Sequence, residues 1–496
     1  MKRALLRTVA LALGALAAAA QGGELEAARE RLRSPDARER QQAVEALAAL
    51  AAPQAWELVL GALADPEPRV ADEAQIRLGE LRDARLVPLL LGDDGIGSRR
   101  AHVAERAAEA LGRLQVRIAA GDLARHLDQS DPAVRGALAW SVERLAAAGR
   151  LEDPADAGLW KALERLRARA KDASVAATAL AAMCAVRPSD APEALGAAVE
   201  SDAPELRCCA AALWRALPPS ATGESPLSTL AGDPSAAVRA QVAGELARSG
   251  KREDALALAS MLADERELRL SWTIVERLQD LSGLKHGRDP RPWREWAGSL
   301  PEDWTPRDGS GEHEYEGASA AFAGLPVLSG RVSFLIDLSG SMWMEWEGGR
   351  TRKQAVDVEV RRLFASLPAG TRFNVIPYTD RPLPWRKELV PATPANVRKA
   401  GADFERQNAR GQGDFWGAFV RALEDPEVDT VMVLTDGAPS GGWRWNLSLM
   451  KSLLPQQNRF RKVVLDAILF DCPTSLARHW SEMCAATGGR CTTIEL

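Results

Sequence analysis

One recurring phrase constrains this chain more than anything else in it. "SPDARERQQAVEAL" begins at Ser34, "DPEPRVADEAQIRL" at Asp65, "DPAVRGALAWSVERL" at Asp131, "DASVAATAL" at Asp172, "DAPELRCCAAAL" at Asp202 and "DPSAAVRAQVAGEL" at Asp233, with weaker copies near Ser98 and Asp264. Most steps are 30 to 33 residues; the step from 131 to 172 is 41 and implies an insertion. The opening Asp or Ser suits a helix N-cap, accepting backbone N–H bonds. Pro at the next position suits the first turn, where its missing donor has no consequence. Ala and Leu then recur at three- and four-residue spacing and make one apolar stripe. A single helical pair cannot bury that stripe alone, so the pairs are expected to stack.

The stacked pattern over 24–285 resembles HEAT-like repeats, in particular the short kind associated with phycobilin lyases. The resemblance implies an all-α solenoid whose curved face grips another protein. Lyase chemistry would need a cluster of catalytic groups, and His102, His126 and His286 stand apart from one another in the sequence. From 286 to 324 the composition turns to Pro, Gly, Trp and charge. "DPRPWREW" is expected to cover the open end of the array with Trp293 and Trp296, and "PRDGSGEHE" reads as linker.

The N-terminus carries Lys2, Arg3 and Arg7, an apolar stretch from Val9 to about Ala20, and an Ala-rich site before Gln21. That is the pattern of a cleaved secretory signal over 1–20, with an apolar part too short to span a bilayer comfortably. It places the mature chain outside the cytoplasm, periplasmic or extracellular, with no later transmembrane segment. The Ala- and Arg-rich composition is compatible with a high-GC bacterium. Charge is balanced: 41 Lys and Arg against 49 Asp and Glu up to residue 330, and 22 against 19 beyond it. Neither part has the basic field of a nucleic-acid binder. Cys184, Cys208, Cys209, Cys472, Cys484 and Cys491 spell no C-x-x-C and no zinc site. A bridge between Cys484 and Cys491, which flank a "TGG" turn, is geometrically open.

Beyond Arg331 the period changes. "RVSFLIDLSGSM", "TRFNVIPYTD", "DTVMVLTDG" and "KVVLDAILFD" read as strands, with helices over 350–367 and in "SLARHWSEMCAATGG", and "RCTTIEL" as a closing strand. Apolar strands alternating with helices mean a mostly parallel, doubly wound sheet covered on both faces. Ligands of such sheets sit at the carboxyl ends of the strands. Asp337 and Asp436 fall there, each ending an apolar run. Asp337, Ser339 and Ser341 alternate after the first strand. By themselves they fit a metal site, a nucleophile or a polar turn. A serine nucleophile needs an oriented base, and "LSGS" is not a nucleophile elbow. Phosphate binding would need a Walker lysine and its glycine spacing.

Asp337-x-Ser339-x-Ser341 with "LTDG" about a hundred residues later resembles the von Willebrand factor A domain, over 325–496. That resemblance implies an α/β Rossmann-like fold, no catalysis, and a metal-ion-dependent adhesion site. The site would be built from Asp337, Ser339, Ser341, a threonine from a second loop and Asp436. Mg²⁺ is the expected ion, since it takes oxygen ligands and keeps some waters. A partner's acidic side chain would complete its shell. The second loop departs from the family: "RGQGDFWGAF" puts Gly413 where the threonine belongs. Asp414, next in the chain, is the candidate to turn inward in its place and would favour Ca²⁺ or Mn²⁺. The alternative is a metal-free structural module. Finally, 15 Trp stand against 2 Tyr. Trp343, Trp346, Trp416, Trp443 and Trp445 follow the three site loops, and are read either as cover for the loops or as a partner-binding rim. Such a rim would also stack on carbohydrate, a second partner class.

Overall fold

The computed structural model describes residues 22–217, 225–306, 312–316, 320–345 and 349–494. The expected signal segment lies outside them. By its contacts the chain divides into two compact units, Met1–Ala191 and Pro192–Leu496.

The described part of the first unit is almost entirely helical. Helices Ala37–Ala49, Pro68–Glu80, Ala101–Leu111, Pro132–Ala147 and Ala173–Val186 pack each on the next. Between them lie helices such as Pro53–Gly61 and Leu86–Leu91, which meet one another. Asp36, Asp131 and Asp172 cap their helices, and Pro132 occupies the first turn, as the phrase dictates. Three phrases start differently: Asp202 makes no cap, and helix Pro204–Leu213 begins after Ala203 without a side-chain cap. Asp65 and Asp233 each accept the N–H two residues on, from Glu67 and Ser235, and the helix begins after those residues. This leaves the carboxylates for another task. Arg40 grips Asp65 with two bonds of 2.8 and 2.9 Å, and its remaining nitrogen donates to the carbonyls of Ser34 and Pro35. The second unit repeats the device twice, with Arg207 on Asp233 and Arg239 on Glu265. Each arginine thus ties the loop opening its own helix to the loop opening the next one.

In the second unit the repeats continue through Pro204–Leu213, Ala236–Ser249, Arg252–Asp264 and Leu268–Ser282. Helix Pro290–Gly298 then packs on Arg252–Asp264, burying Trp293, whose indole N–H donates to the Gly287 carbonyl. Part of the expected linker is docked: His313 meets Asp280 at 2.9 Å and Tyr315 donates to Glu276.

The sheet domain follows. A short antiparallel pair, Ala321–Phe322 with Leu325–Pro326, precedes it. Its elements are β1 (Arg331–Asp337), α1 (Arg352–Ser366), β2 (Arg372–Tyr378), β3 (Val390–Pro391), α2 (Pro394–Glu405), α3 (Phe415–Leu423), β4 (Thr430–Thr435), α4 (Leu447–Gln457), β5 (Val464–Phe470), α5 (Thr474–Ala486) and β6 (Cys491–Ile494). The strand order is β6-β5-β4-β1-β2-β3, parallel except for the edge strand β3. The chain runs outward from β1 to one side and then to the other, so the switch point lies between β1 and β4. Phe334 and Ile336 of β1 join Val356, Val360, Leu363 and Phe364 of α1 in one core. The alternate residues Leu335, Val433 and Leu469 are equally buried, as a sheet covered on both faces requires. Phe415 of α3 meets Trp480 of α5 with ring centroids 4.5 Å apart.

At the amino ends of the strands the last repeat is tied to the sheet. Arg331 reaches Glu267 at 2.8 Å and Asp429 at 3.4 Å. All six cysteines are free thiols, with Cys484 and Cys491 hydrogen-bonded side chain to side chain. Among the described residues no helix is long and apolar enough to cross a membrane.

Candidate cation site at the ends of β1 and β4

The register sets the first contact. Ile336 pairs with Leu434, so Asp337 and Thr435 come next to each other where β1 and β4 end. The Thr435 hydroxyl donates to Asp337 Oδ2 at 2.7 Å, and the Ser339 N–H donates to Asp337 Oδ1 at 2.7 Å. Asp337 is 1% exposed. Burial and then the charge of Asp436 push its carboxyl up to about 6, against the pull of hydrogen bonds from the Ser339 side chain and backbone and from Thr435. The two aspartates singled out in the sequence are therefore close enough for the charge of one to act on the other. Ser339 and Ser341 join them, with hydroxyls 3.2 Å apart. Tyr378, beside Asp337 in β2, is buried there, and burial followed by the Asp337 charge pushes its phenol well above its ordinary range.

Three loops are fastened around this centre. The Gly340 N–H donates to the Gly411 carbonyl at 3.0 Å, joining the first loop to the second. The second loop joins the third twice: Gly413 N–H to Ser440 Oγ at 2.8 Å, and Ser440 N–H to the Gly413 carbonyl at 3.3 Å. Gly437 has φ +94° and faces the Cys472 sulfur, so closely that a Cβ there would lie 2.3 Å from it. Only glycine makes that turn.

Gly413 does face the site. A Cβ on it would lie 3.6 Å from Ser339 Cβ and 3.7 Å from Asp337 Oδ1. Asp414 does not replace the missing side chain. It is the N-cap of α3, accepting from Gly417 N–H at 2.9 Å and from the Trp443 backbone. A cap must aim its oxygen at the first-turn donors, which turns this carboxylate away from Asp337. Burial pushes Asp414 up to about 6. A folded pKa above the unfolded one means that the native protein binds more protons between pH 4 and 6. Stability is then fullest below the unfolded value and is lost as pH rises through about 6. Asp414→Asn keeps an acceptor for Gly417 and removes the charge, so its stability gain over wild type should appear above pH 6, about 1–2 kcal/mol at pH 8, and vanish near pH 4. Denaturation series at the two pH values measure it.

The tryptophans divide. Trp416 is 5% exposed and packs on Phe419, so it is core and no partner contact. Trp343 is half-buried, donates to the Leu338 carbonyl and lies under Arg410. Trp445 is half-buried and Trp443 is 37% exposed. Trp346 lies outside the described residues. Among the described residues the exposed large hydrophobics are Met344, Val358 and Trp443. Met344 belongs to the first site loop and Trp443 to the third.

The donor set fits a hard cation. Asp436 Oδ1 is buried and has no hydrogen-bond partner, which is costly unless something positive answers it. Among the described residues no three His, Cys, Asp or Glu side chains gather as a metal cluster. The set here is two carboxylates with hydroxyls, oxygen chemistry suited to Mg²⁺ or Mn²⁺ and not to zinc. Sequence reasoning missed Thr435 and Ser440. Thr435 was legible, since it immediately precedes Asp436 at the end of an apolar run.

A doubly wound sheet with Asp-x-Ser-x-Ser after its central strand and Thr-Asp-Gly after the neighbouring one defines a von Willebrand A-type domain, and this chain carries one. Among curated proteins the chain is similar to inter-alpha-trypsin inhibitor heavy chain H1 of Mesocricetus auratus, 27% identical over 141 residues, covering 26% of this chain and 15% of that one. It is 30% identical over 130 residues to heavy chain 4 of Mus musculus, covering 24% and 13%. The chain thus matches only about one-seventh of the length of these relatives. A solved von Willebrand factor type A protein from Catenulispora acidiphila is 20% identical with a TM-score of 0.27, covering 34% of this chain and 38% of that one. No family model matches.

Proposed function

We propose that the von Willebrand A-type domain docks a protein partner through a divalent cation held by Asp337, Ser339, Ser341 and Asp436. The observation that carries this reading is the buried, unpartnered Asp436 Oδ1 beside the buried Asp337. Two carboxylates whose charges oppose each other in a buried setting repel, and a cation between them would remove the penalty. Asp337 and Asp436 hold the charge, and the serine hydroxyls add neutral oxygens. The ion, when bound, offers an open coordination position to an acidic group of the partner. Met344 and Trp443 stand exposed on the adjoining loops and provide apolar contact around that point.

The function is binding without catalysis, in an exported protein. The Asp/Pro-capped helical repeats, read as a HEAT-like array, give a second protein-binding surface. A second reading, a structural module without a metal, is favoured by Gly413, which brings no oxygen where the family has one. Thermal melting of the full chain in EDTA and in graded MgCl₂, MnCl₂ and CaCl₂ separates the two. Binding to the native form alone stabilises by about 2.7 kcal/mol at a hundred times Kd. Wild type should melt higher with at least one of these ions, and Asp436→Ala should not respond. Identical flat curves in both proteins would leave only the metal-free module.

A further inference from the structure

We propose that Ser440, from the loop after β4, is a cation ligand that supplies the oxygen Gly413 lacks, so that the second loop's missing ligand is provided by the third. This rests on the cation reading above and names one more residue of the same site. Three observations place it. First, the space where a side chain of residue 413 would stand is bordered by the site on one side and by Ser440 on the other. A Cβ at 413 would lie 3.7 Å from Asp337 Oδ1, 3.6 Å from Ser339 Cβ and 3.6 Å from Ser440 Oγ. Second, the serine is held there from two directions. The Gly413 N–H fixes its hydroxyl at 2.8 Å, and its own N–H fixes the Gly413 carbonyl. Third, that hydroxyl is not used up. It accepts one N–H bond, and a hydroxyl keeps a second lone pair and its proton.

The neighbouring candidate is otherwise engaged. Both backbone donors that reach Asp414, from Gly417 and Trp443, hold its carboxylate at the start of α3. Ser440 brings a neutral oxygen where Asp414 would bring a charge. A set of two carboxylates and three hydroxyls keeps the low carboxylate count that suits Mg²⁺. Glycine at 413 and serine at 440 then belong together: the first leaves the space and donates the N–H, and the second borders that space and accepts it.

The pair can be separated and rejoined. Mg²⁺ and Mn²⁺ titrations at constant ionic strength, read as the ion-induced melting shift, compare wild type, Ser440→Ala, Ser440→Thr and the double variant Gly413→Thr with Ser440→Ala. Using the shift and not the melting point itself removes any loss of metal-free stability. Ser440→Ala should weaken ion binding at least tenfold, and Ser440→Thr should bind within about threefold of wild type. The double variant should recover most of the loss, because the contacts around residue 413 are ordinary van der Waals distances that admit a Cβ. If wild type responds to the ion and Ser440→Ala responds equally, this assignment is wrong while the cation reading stands. If wild type shows no ion response, the cation reading fails and takes the Ser440 assignment with it.

Discussion

Asp337→Asn should melt above wild type in EDTA and no longer respond to Mg²⁺. The two effects have one cause. Asp337 is buried, and its ionised form stands in low dielectric beside Asp436, which together push its carboxyl up to about 6. Holding that charge at pH 8, against a reference near 3.8, costs up to about 3 kcal/mol in the metal-free protein. As with any acid whose folded pKa is raised, the penalty is absent below pH 4 and develops as pH rises through about 6. Asparagine nearly matches the carboxylate in shape. Its oxygen still accepts from Ser339 N–H and its amide can donate to the Thr435 hydroxyl, so the local hydrogen bonds survive. Removing the charge therefore releases most of the penalty, and metal-free stability at pH 8 should rise by about 2–3 kcal/mol. The same change removes half of the carboxylate charge offered to the cation. At saturating Mg²⁺ the order should reverse or close, because only wild type gains from the ion. Melting curves of both proteins at pH 4.5 and 8, each with EDTA and with MgCl₂, give all four corners. An asparagine variant less stable than wild type at pH 8 in EDTA would show that the carboxylate is held for structure and not strained for a ligand.

What the sequence told, and what it hid, follows from which interactions are local. The main strands were legible because each is an apolar run ended by a turn or a carboxylate, and the position of Asp337 and Asp436 at strand ends follows directly from that. The edge strand β3 escaped, being two residues long and containing Pro391, which leaves neither period nor length to detect. Asp414 was misread because adjacency to Gly413 says nothing about where a side chain aims. Its role was nonetheless written locally: an Asp three residues before Gly417, at the head of the amphipathic run from Phe415, is an N-cap pattern. Trp416 lies one residue inside that same helix, which settles its burial in the same way. Ser440 carried no such mark. It lies in an irregular loop, and its tie to Gly413 is a contact between segments 27 residues apart. The repeat phrases held another long-range term. Their capping grammar was visible, but the arginines four residues after the caps Asp36, Ala203 and Ser235 gain their meaning only from a carboxylate 25 or 26 residues further on.

That arginine clamp yields a large expected loss of stability. Asp233 sits at a junction. It takes two bonds from Arg207, at 2.6 and 2.9 Å, and its Oδ1 also accepts the Ser235 N–H that opens helix Ala236–Ser249. Its backbone carbonyl accepts from Arg239, the next arginine of the series. The carboxylate is nearly fully buried, and the hydrogen bonds the Arg207 guanidinium donates to it hold that guanidinium above its usual range. Asp233→Ala leaves that guanidinium partly buried and unanswered and frees the turn before the helix. Removing one partner of a buried pair costs about 3–5 kcal/mol, against about 1 kcal/mol for deleting an exposed cap such as Asp36. Arg207→Met should cost less than Asp233→Ala, since the Ser235 turn remains. Adding Arg207→Met to Asp233→Ala should cost almost nothing more, because the partner is already lost. In stacked repeats each unit leans only on its neighbours, so the loss should appear locally. The opening free energies read by native-state hydrogen exchange for amides in Pro204–Leu213 and Ala236–Ser249 should fall by that amount, with those of β1 and β4 changing least. Additive costs in the double variant, or a drop under 1 kcal/mol for Asp233→Ala, would mean that apolar stacking alone sets the spacing of the repeats and that the clamps are surface ornament.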